Sequence, residues 1–281
     1  MRQNKKNVYE YYNAKGWEVS SKNGVILDEE INTNHNESCR AYNAKTRNRV
    51  LEQLNKVSGK KNKLLDVASG ALHLPELIEY SRDFQQRHCI DFSEKALDQA
   101  KKNLVNSGQK DSFFYNLDFL DGDLEINHFD AVISLHTLYH VDITKQHDFV
   151  EKLIKYVRPQ GSVIIVYSNP FSLQQIITFP IFVWHSFKSL LRDILAKLSL
   201  IKNVNNKIYF RRKSIFWWRR FQNYGKVTIL SERTFNATFE KKIIPNNNIG
   251  KTIYNLLFKL ESFSFWKYFS TYYIVTIKKG G

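Results

Sequence analysis

Four short segments carry the residue types that could do chemistry. Asp66-Val67-Ala68-Ser69-Gly70-Ala71 follows the apolar start of the run LLDV, and its small residues let the backbone approach a ligand closely. Asp91, with Phe92 beside it, closes a second apolar run 21 residues beyond Gly70. A carboxylate placed there can accept hydrogen bonds from two ribose hydroxyls. Asp118-Phe119 pairs an acid with an aromatic ring, suited to the edge and face of an adenine. The fourth segment, Ser134-Leu135-His136-Thr137-Leu138-Tyr139-His140, sets two imidazoles four residues apart. Imidazole works as a base near neutral pH, so His140, with His136 and Tyr139, is the candidate for receiving a proton from a hydroxyl or an acidic carbon. No third ligand accompanies the two histidines, and no metal is expected.

These segments need elements that hold them at one edge. From Lys63 onward the chain alternates short apolar runs with amphipathic ones. LLDV (64–67), RHCIDF (87–92), SFFYNLD (112–118), FDAVISL (129–135) and SVIIVYS (162–168) read as strands. Helices are expected from Leu74 to Tyr80 with Pro75 in the first turn, after Ser93 as N-cap, and over 148–157, with PQG then turning the chain. The alternation predicts a parallel, doubly wound α/β sheet of Rossmann-like type. VTILSER (227–233) and YYIVTIKK (272–279) add two closing strands, for seven in all. The organisation expected is an N-terminal helical lid over 1–57, a cofactor-binding core over 58–168, and over 169–281 a helical, aromatic and basic substrate cap with the closing strands. Tyr11, Tyr12 and Trp17 belong to the lid and are candidate substrate contacts; Tyr42 to Val57 reads as a helix.

Several classes are set aside. Gly70 stands without the partners that a GxGxxG dinucleotide fingerprint needs, and no GxxxxGK[ST] phosphate loop occurs. The two cysteines, Cys39 and Cys89, share no ligand-type spacing, so neither a disulfide scaffold nor a zinc site is expected. The first residues lack the apolar run of a secretion signal, and the uncharged stretch 159–187 is broken by Asn169, Pro170, Gln174, Gln175 and Pro180. A cytoplasmic protein is expected, with peripheral contact at the inner membrane surface as an option.

Charge is unevenly placed. Residues 1–167 hold 23 Lys and Arg against 23 Asp and Glu, whereas 168–281 hold 19 against 4 and 23 of the 40 aromatic residues. The segment 209–220, with Arg211, Arg212, Trp217, Trp218, Arg219 and Arg220, is the densest mixture of cations and aromatics. Guanidinium groups pair with phosphate, and Trp favours surfaces that are apolar on one side and wet on the other. Three partners fit: a lipid-linked acceptor on an anionic membrane, RNA, or a small soluble acceptor under an aromatic cap. Arg211, Arg212, Trp217 and Trp218 are the candidate substrate contacts of this segment.

LLDVASGALHLPELIEYS, HCIDFSEKALDQAKKN, NLD and FDAVISLHTLYHV, in this order and spacing, resemble the ordered motifs of class I S-adenosylmethionine-dependent methyltransferases, closest to the broad ubiquinone/menaquinone-type group. The resemblance covers roughly residues 40–168. It implies S-adenosyl-L-methionine as methyl donor and S-adenosyl-L-homocysteine as product. By position it assigns Asp66, Ala68, Ser69 and Gly70 to the methionine part, Asp91 and Phe92 to the ribose, Asp118 and Phe119 to the adenine, and Leu135 and His136 to the methionyl end. The family's Gly-x-Gly-x-Gly becomes Ala68, Gly70 and Leu72 here. Ala68 is a mild change for a turn with negative φ, and Leu72 would narrow the loop. The expected activity is methyl transfer to O, N or C of a small or lipid-linked acceptor. The alternative is an inactive protein of the same fold that binds a membrane surface or RNA through its basic part.

Overall fold

The computed structural model describes residues 37–109, 111–179 and 209–281. β1 (Lys63–Val67), β2 (Gln86–Asp91), β3 (Ser112–Asn116), β4 (Phe129–Leu135) and β5 (Val157–Ser168) follow the five apolar runs. Every residue of β4 except its last is buried, as a strand covered on both faces requires. β6 (Gly225–Arg233) and β7 (Tyr272–Lys279) complete a seven-stranded sheet of order β3-β2-β1-β4-β5-β7-β6. The chain runs outward from β1 to β3 and returns to the other side of β1 as β4. The loops after β1 and β4 therefore diverge and open a cleft at the carboxyl edge.

The sheet is mixed, with the five strands of the alternating part parallel as expected. β1 to β5 pair in parallel, but β7 is antiparallel to both β5 and β6. Arg233 at the end of β6 and Tyr272 at the start of β7 are partners, so the connection between them begins and ends at one edge and β7 must run back. The PQG turn is absorbed into β5 as an irregularity. Gln160 takes φ 64°, and the ladder with β4 passes from Val157 to Ser162.

α1 (Glu37–Asn55), α2 (Pro75–Glu79), α3 (Glu94–Asn106) and α4 (Gln146–Tyr156) precede β5. Residues 173–179 are helical, and α5 (Ala237–Ile243) and α6 (Asn248–Leu260) lie between β6 and β7. Ser93 caps α3 as expected, accepting from the Ala96 N–H. α1 starts earlier than the sequence periodicity indicates, because its first turns face α6 rather than the sheet. The Tyr42 hydroxyl donates to the Glu261 carboxylate, and further along the helix Arg49 joins the same carboxylate at 2.9 Å. Val50 and Leu54 of α1 pack with Ile133, Ile164 and Val166 on one sheet face.

The aromatic segment behaves differently from expectation. Residues 215–224 form a 3₁₀ helix whose Ile215, Trp217, Trp218 and Phe221 are buried on the opposite sheet face. Trp218 is fully buried, and its indole N–H donates to the Tyr273 hydroxyl at 2.9 Å. Trp217 and Trp218 are therefore core, which corrects their reading as substrate or interface contacts. Their large apolar area is worth more against β5 and β7 than at a surface. Cys39 and Cys89 are both buried and are not joined in a disulfide. Among the described residues no helix is long and apolar enough to cross a membrane.

Candidate functional site

A cavity of about 690 Å³ opens at the carboxyl edge of the strands, within the size range of small-molecule sites. One wall is the turn after β1. Ala68, Gly70 and Leu72 adopt φ of 56°, 62° and 47°, so all three positions of the alternating motif are left-handed. The condition under which Ala68 would be a mild change, a negative φ, is therefore not met. Glycine takes such angles without cost, whereas an L side chain pays about 1–2 kcal/mol. The turn is held by the Ser69 N–H donating to the Ile90 carbonyl at 3.1 Å. Leu72, instead of narrowing the loop, inserts among Cys89, Leu97, Ala100 and Leu104.

Asp66 borders the cavity, but its carboxylate is committed to an ion pair with the buried Arg87. Arg87 in turn donates to the Leu77 carbonyl at 2.7 Å. Asp91 is placed differently. Its Oδ2 accepts from the Gly70 N–H at 3.0 Å and its Oδ1 from the Ser93 N–H at 2.8 Å. Each carboxylate oxygen has a second lone pair, which is what a diol would use. Burial pushes the Asp91 carboxyl up to about 6, against the pull of these N–H groups. Phe92 lies on the same wall.

Asp118 and Phe119 stand apart from the residues that border the cavity. The Asp118 carboxylate accepts from the Leu120 N–H at 2.9 Å. Phe119 is buried edge-on to Phe149, 4.9 Å between centroids, and is thus unavailable as an aromatic face.

The loop after β4 forms the second wall. Leu135, His136, Thr137, Tyr139 and His140 all border the cavity. His136 has φ 57° and stands edge-on to Tyr272 at 4.8 Å. The two histidines do not share one helical face, because Leu138–His140 is a single 3₁₀ turn. The His140 Nδ1 donates to the Tyr209 carbonyl at 2.9 Å, which leaves the lone pair of the neutral ring on Nε2. Burial lowers its pKa, the hydrogen bond to Tyr209 opposing. His140 is a neutral imidazole of fixed tautomer. Tyr139 is buried between His140 and Phe210.

A third wall was not legible in the sequence motifs. Glu232 and Arg233 at the end of β6, Tyr272 opposite them, Arg47 from α1 and Phe239 and Lys242 from α5 all contribute. The signal available was position, since β6 ends at the same edge as β1, β2 and β4. Tyr11, Tyr12 and Trp17 lie outside the described residues. Arg212 donates to the Asn169 carbonyl at 3.0 Å and lies over Phe210, whereas Arg211 is exposed with its backbone tied to Tyr139. Only Phe210 of that segment borders the cavity. Away from this cavity, His147, Asp148 and Glu151 approach one another at the surface of α4.

Residues 65–165 match a family model described as a methyltransferase domain. No curated protein matches the sequence. Among solved structures, the chain is similar to geranyl diphosphate C-methyltransferase from Streptomyces coelicolor A3(2), in complex with Mg2+, geranyl diphosphate and S-adenosyl-L-homocysteine. There the TM-score is 0.58 at 12% identity, over 99% of this chain and 98% of that one. It is also similar to phosphoethanolamine N-methyltransferase 1 of Haemonchus contortus, in complex with phosphoethanolamine and S-adenosylhomocysteine. That match has a TM-score of 0.56 at 10% identity and covers 99% of this chain and 48% of that one. A third, the methyltransferase domain of bacterial CtHen1-C, gives 0.51 at 17% identity over 85% and 100%. At these identities the likeness is one of fold.

Proposed function

We propose that this chain, whose residues 65–165 match a methyltransferase domain within a seven-stranded α/β fold, uses S-adenosylmethionine to methylate O, N or C of a small or lipid-linked acceptor bound in the cavity. The observation that carries this reading is Asp91: a buried carboxylate at the end of β2, held by the N–H of Gly70 across the turn and facing the cavity. The residues fit the cofactor. Ala68 to Gly70 offer a backbone coil for the methionine part, Asp91 the ribose acceptor, and Phe92 an aromatic face for the adenine in place of Phe119. Leu135 and His136 border the methyl end.

When bound, S-adenosylmethionine supplies a methyl group on a positively charged sulfur. The work of the chain is alignment of an in-line displacement, together with exclusion of water. Tyr139, Phe210, Phe239 and Tyr272 give the cavity an electron-rich lining, favourable to a cation. His140, neutral and oriented by Tyr209, is assigned the proton that an O–H, N–H or C–H acceptor loses. His136 and Tyr139 position the acceptor beside it.

A peripheral contact with an anionic membrane is a second reading, favoured by the exposed Arg219 over the exposed ring of Phe216 and by the exposed Arg220. The first experiment is calorimetric titration of the protein and its Asp91→Ala variant with S-adenosylmethionine and S-adenosylhomocysteine. Saturable binding lost in the variant supports the proposal. Absence of binding to both nucleosides overturns it.

A further inference from the structure

A buried carboxylate that no motif announced borders the cavity. Glu232 is 1% exposed, and its Oε2 has no hydrogen-bond partner. An ionised group desolvated in this way costs several kcal/mol unless something pairs with it. Among the described residues its side chain has one ion-pair contact, and it is a long one. The His136 Nε2 is 4.0 Å from Oε1, too long for a hydrogen bond. Arg49 donates to the Glu232 backbone carbonyl and pairs its charge with Glu261, leaving the Glu232 side chain aside.

The backbone has been bent to put this carboxylate where it is. Consecutive strand residues point to opposite faces of a sheet, yet Glu232 and Arg233 both border the cavity. The reason is a bulge. Ser231 pairs with Tyr273 and Arg233 with Tyr272, so Glu232 is the extra residue. Bulges turn side chains toward sites at strand ends, and this one sits where β6 meets the edge shared with Asp91 and His136.

Building on the methyl-transfer reading, we infer that Glu232 is the acceptor-recognition group of this site, and that the acceptor is a small molecule presenting an N–H or O–H donor. A donor atom can stand about 2.9 Å from both the Glu232 carboxylate and the His136 ring, bridging the gap between them. Its hydrogen bond to Glu232 orients it and its lone pair is left for the incoming methyl group; the proton released on transfer goes to Glu232 where it is the acceptor's only one, and to His140 where an amine keeps a second N–H. Such an acceptor supplies the partner that Oε2 lacks. An acceptor without a donor hydrogen leaves the carboxylate desolvated and is rejected, because an unpaired buried polar group is what discriminates most strongly.

The test uses three probes of one frame, chosen to suit the aromatic lining: benzylamine, benzyl alcohol and benzyl methyl ether, which keeps the oxygen but has no O–H. Each is titrated calorimetrically into the full-length protein, Glu232→Gln and Glu232→Leu, with and without S-adenosylhomocysteine. The parent is expected to bind the amine or the alcohol at least about tenfold more tightly than the ether, a difference of about 1.4 kcal/mol. Glu232→Gln is expected to reduce the preference and Glu232→Leu to remove it. Whichever donor wins distinguishes a nitrogen from an oxygen acceptor. Equal affinity for all three, binding of none, or a preference that survives in Glu232→Leu overturns the assignment. S-adenosylhomocysteine affinity is read on the same samples. Its retention in both variants shows that the fold is intact, and its absence in the parent condemns the cofactor reading independently of the probes.

Discussion

The backbone N–H of Gly70 donates to the Asp91 carboxylate at 3.0 Å, joining the turn after β1 to the end of β2 across 21 residues. One side chain thereby shapes the loop and faces the cavity. Asp91→Ala removes the diol acceptor and orphans two buried N–H groups, those of Gly70 and Ser93. Each charge-assisted bond is worth about 1.5–3 kcal/mol. Nucleoside affinity should fall by roughly 100-fold or more, and calorimetry with S-adenosylhomocysteine reads it directly. Affinity within threefold of the parent would remove Asp91 from the site.

The same carboxylate makes two pH dependences of opposite sign. Burial raises its pKa from 3.8 to about 6. Between these values the folded protein holds a proton that the unfolded chain has released. On this account stability is greatest below pH 4 and declines as pH rises to about 6, by roughly 3 kcal/mol. Nucleoside affinity runs the other way, weakening below pH 6 as the acceptor is protonated. Asp91→Asn should flatten both profiles, in denaturant unfolding and in calorimetry respectively. A parent protein with a flat binding profile from pH 5 to 8 contradicts the second.

Ala68 and Leu72 share a backbone region but should respond oppositely to glycine. At Ala68, φ 56° carries strain that glycine relieves; against the extra freedom of the unfolded chain, Ala68→Gly should be neutral to stabilising by up to about 1 kcal/mol. That corresponds to a rise of about 2–4 °C in Tm at most. Leu72 is 2% exposed and packed in a core cluster. Leu72→Gly loses that packing and should cost about 2–4 kcal/mol despite the relieved strain. Thermal unfolding of the pair decides, and a destabilised Ala68→Gly would mean that the turn gains nothing from glycine.

His140→Gln should separate binding from chemistry. His140 belongs to the loop after β4 and Asp91 to the end of β2, so S-adenosylhomocysteine affinity should stay within about twofold while transfer to an identified acceptor drops by about 10²–10⁴. Parallel loss of both would give the residue a structural role through the Tyr209 hydrogen bond.

The basic segment makes two independent predictions. Trp218→Ala empties a fully buried site on the sheet and should cost about 3–5 kcal/mol in denaturant unfolding. Arg219→Gln with Arg220→Gln changes exposed residues, so the fold should be unaffected while attachment to vesicles rich in phosphatidylserine weakens, more at low salt than at high. Unchanged sedimentation with vesicles removes the membrane reading.

Local pattern determined much of this protein. Apolar runs of strand length, a capping serine before α3 and the small-residue turn after β1 are short-range signals, and strands, helices and the placement of Asp91 and His140 near one edge follow from them. Burial and direction are long-range properties, and those only the tertiary structure decided. Trp217 and Trp218 look the same in sequence whether they face lipid or a sheet, and it was the face offered by β5 and β7 that claimed them. The φ of Ala68 comes from a turn whose shape is held by contacts with β2, not from alanine's own preference. Glu232 had no motif to mark it. It enters the cavity at a bulge in the pairing of β6 with β7, made between residues about forty positions apart.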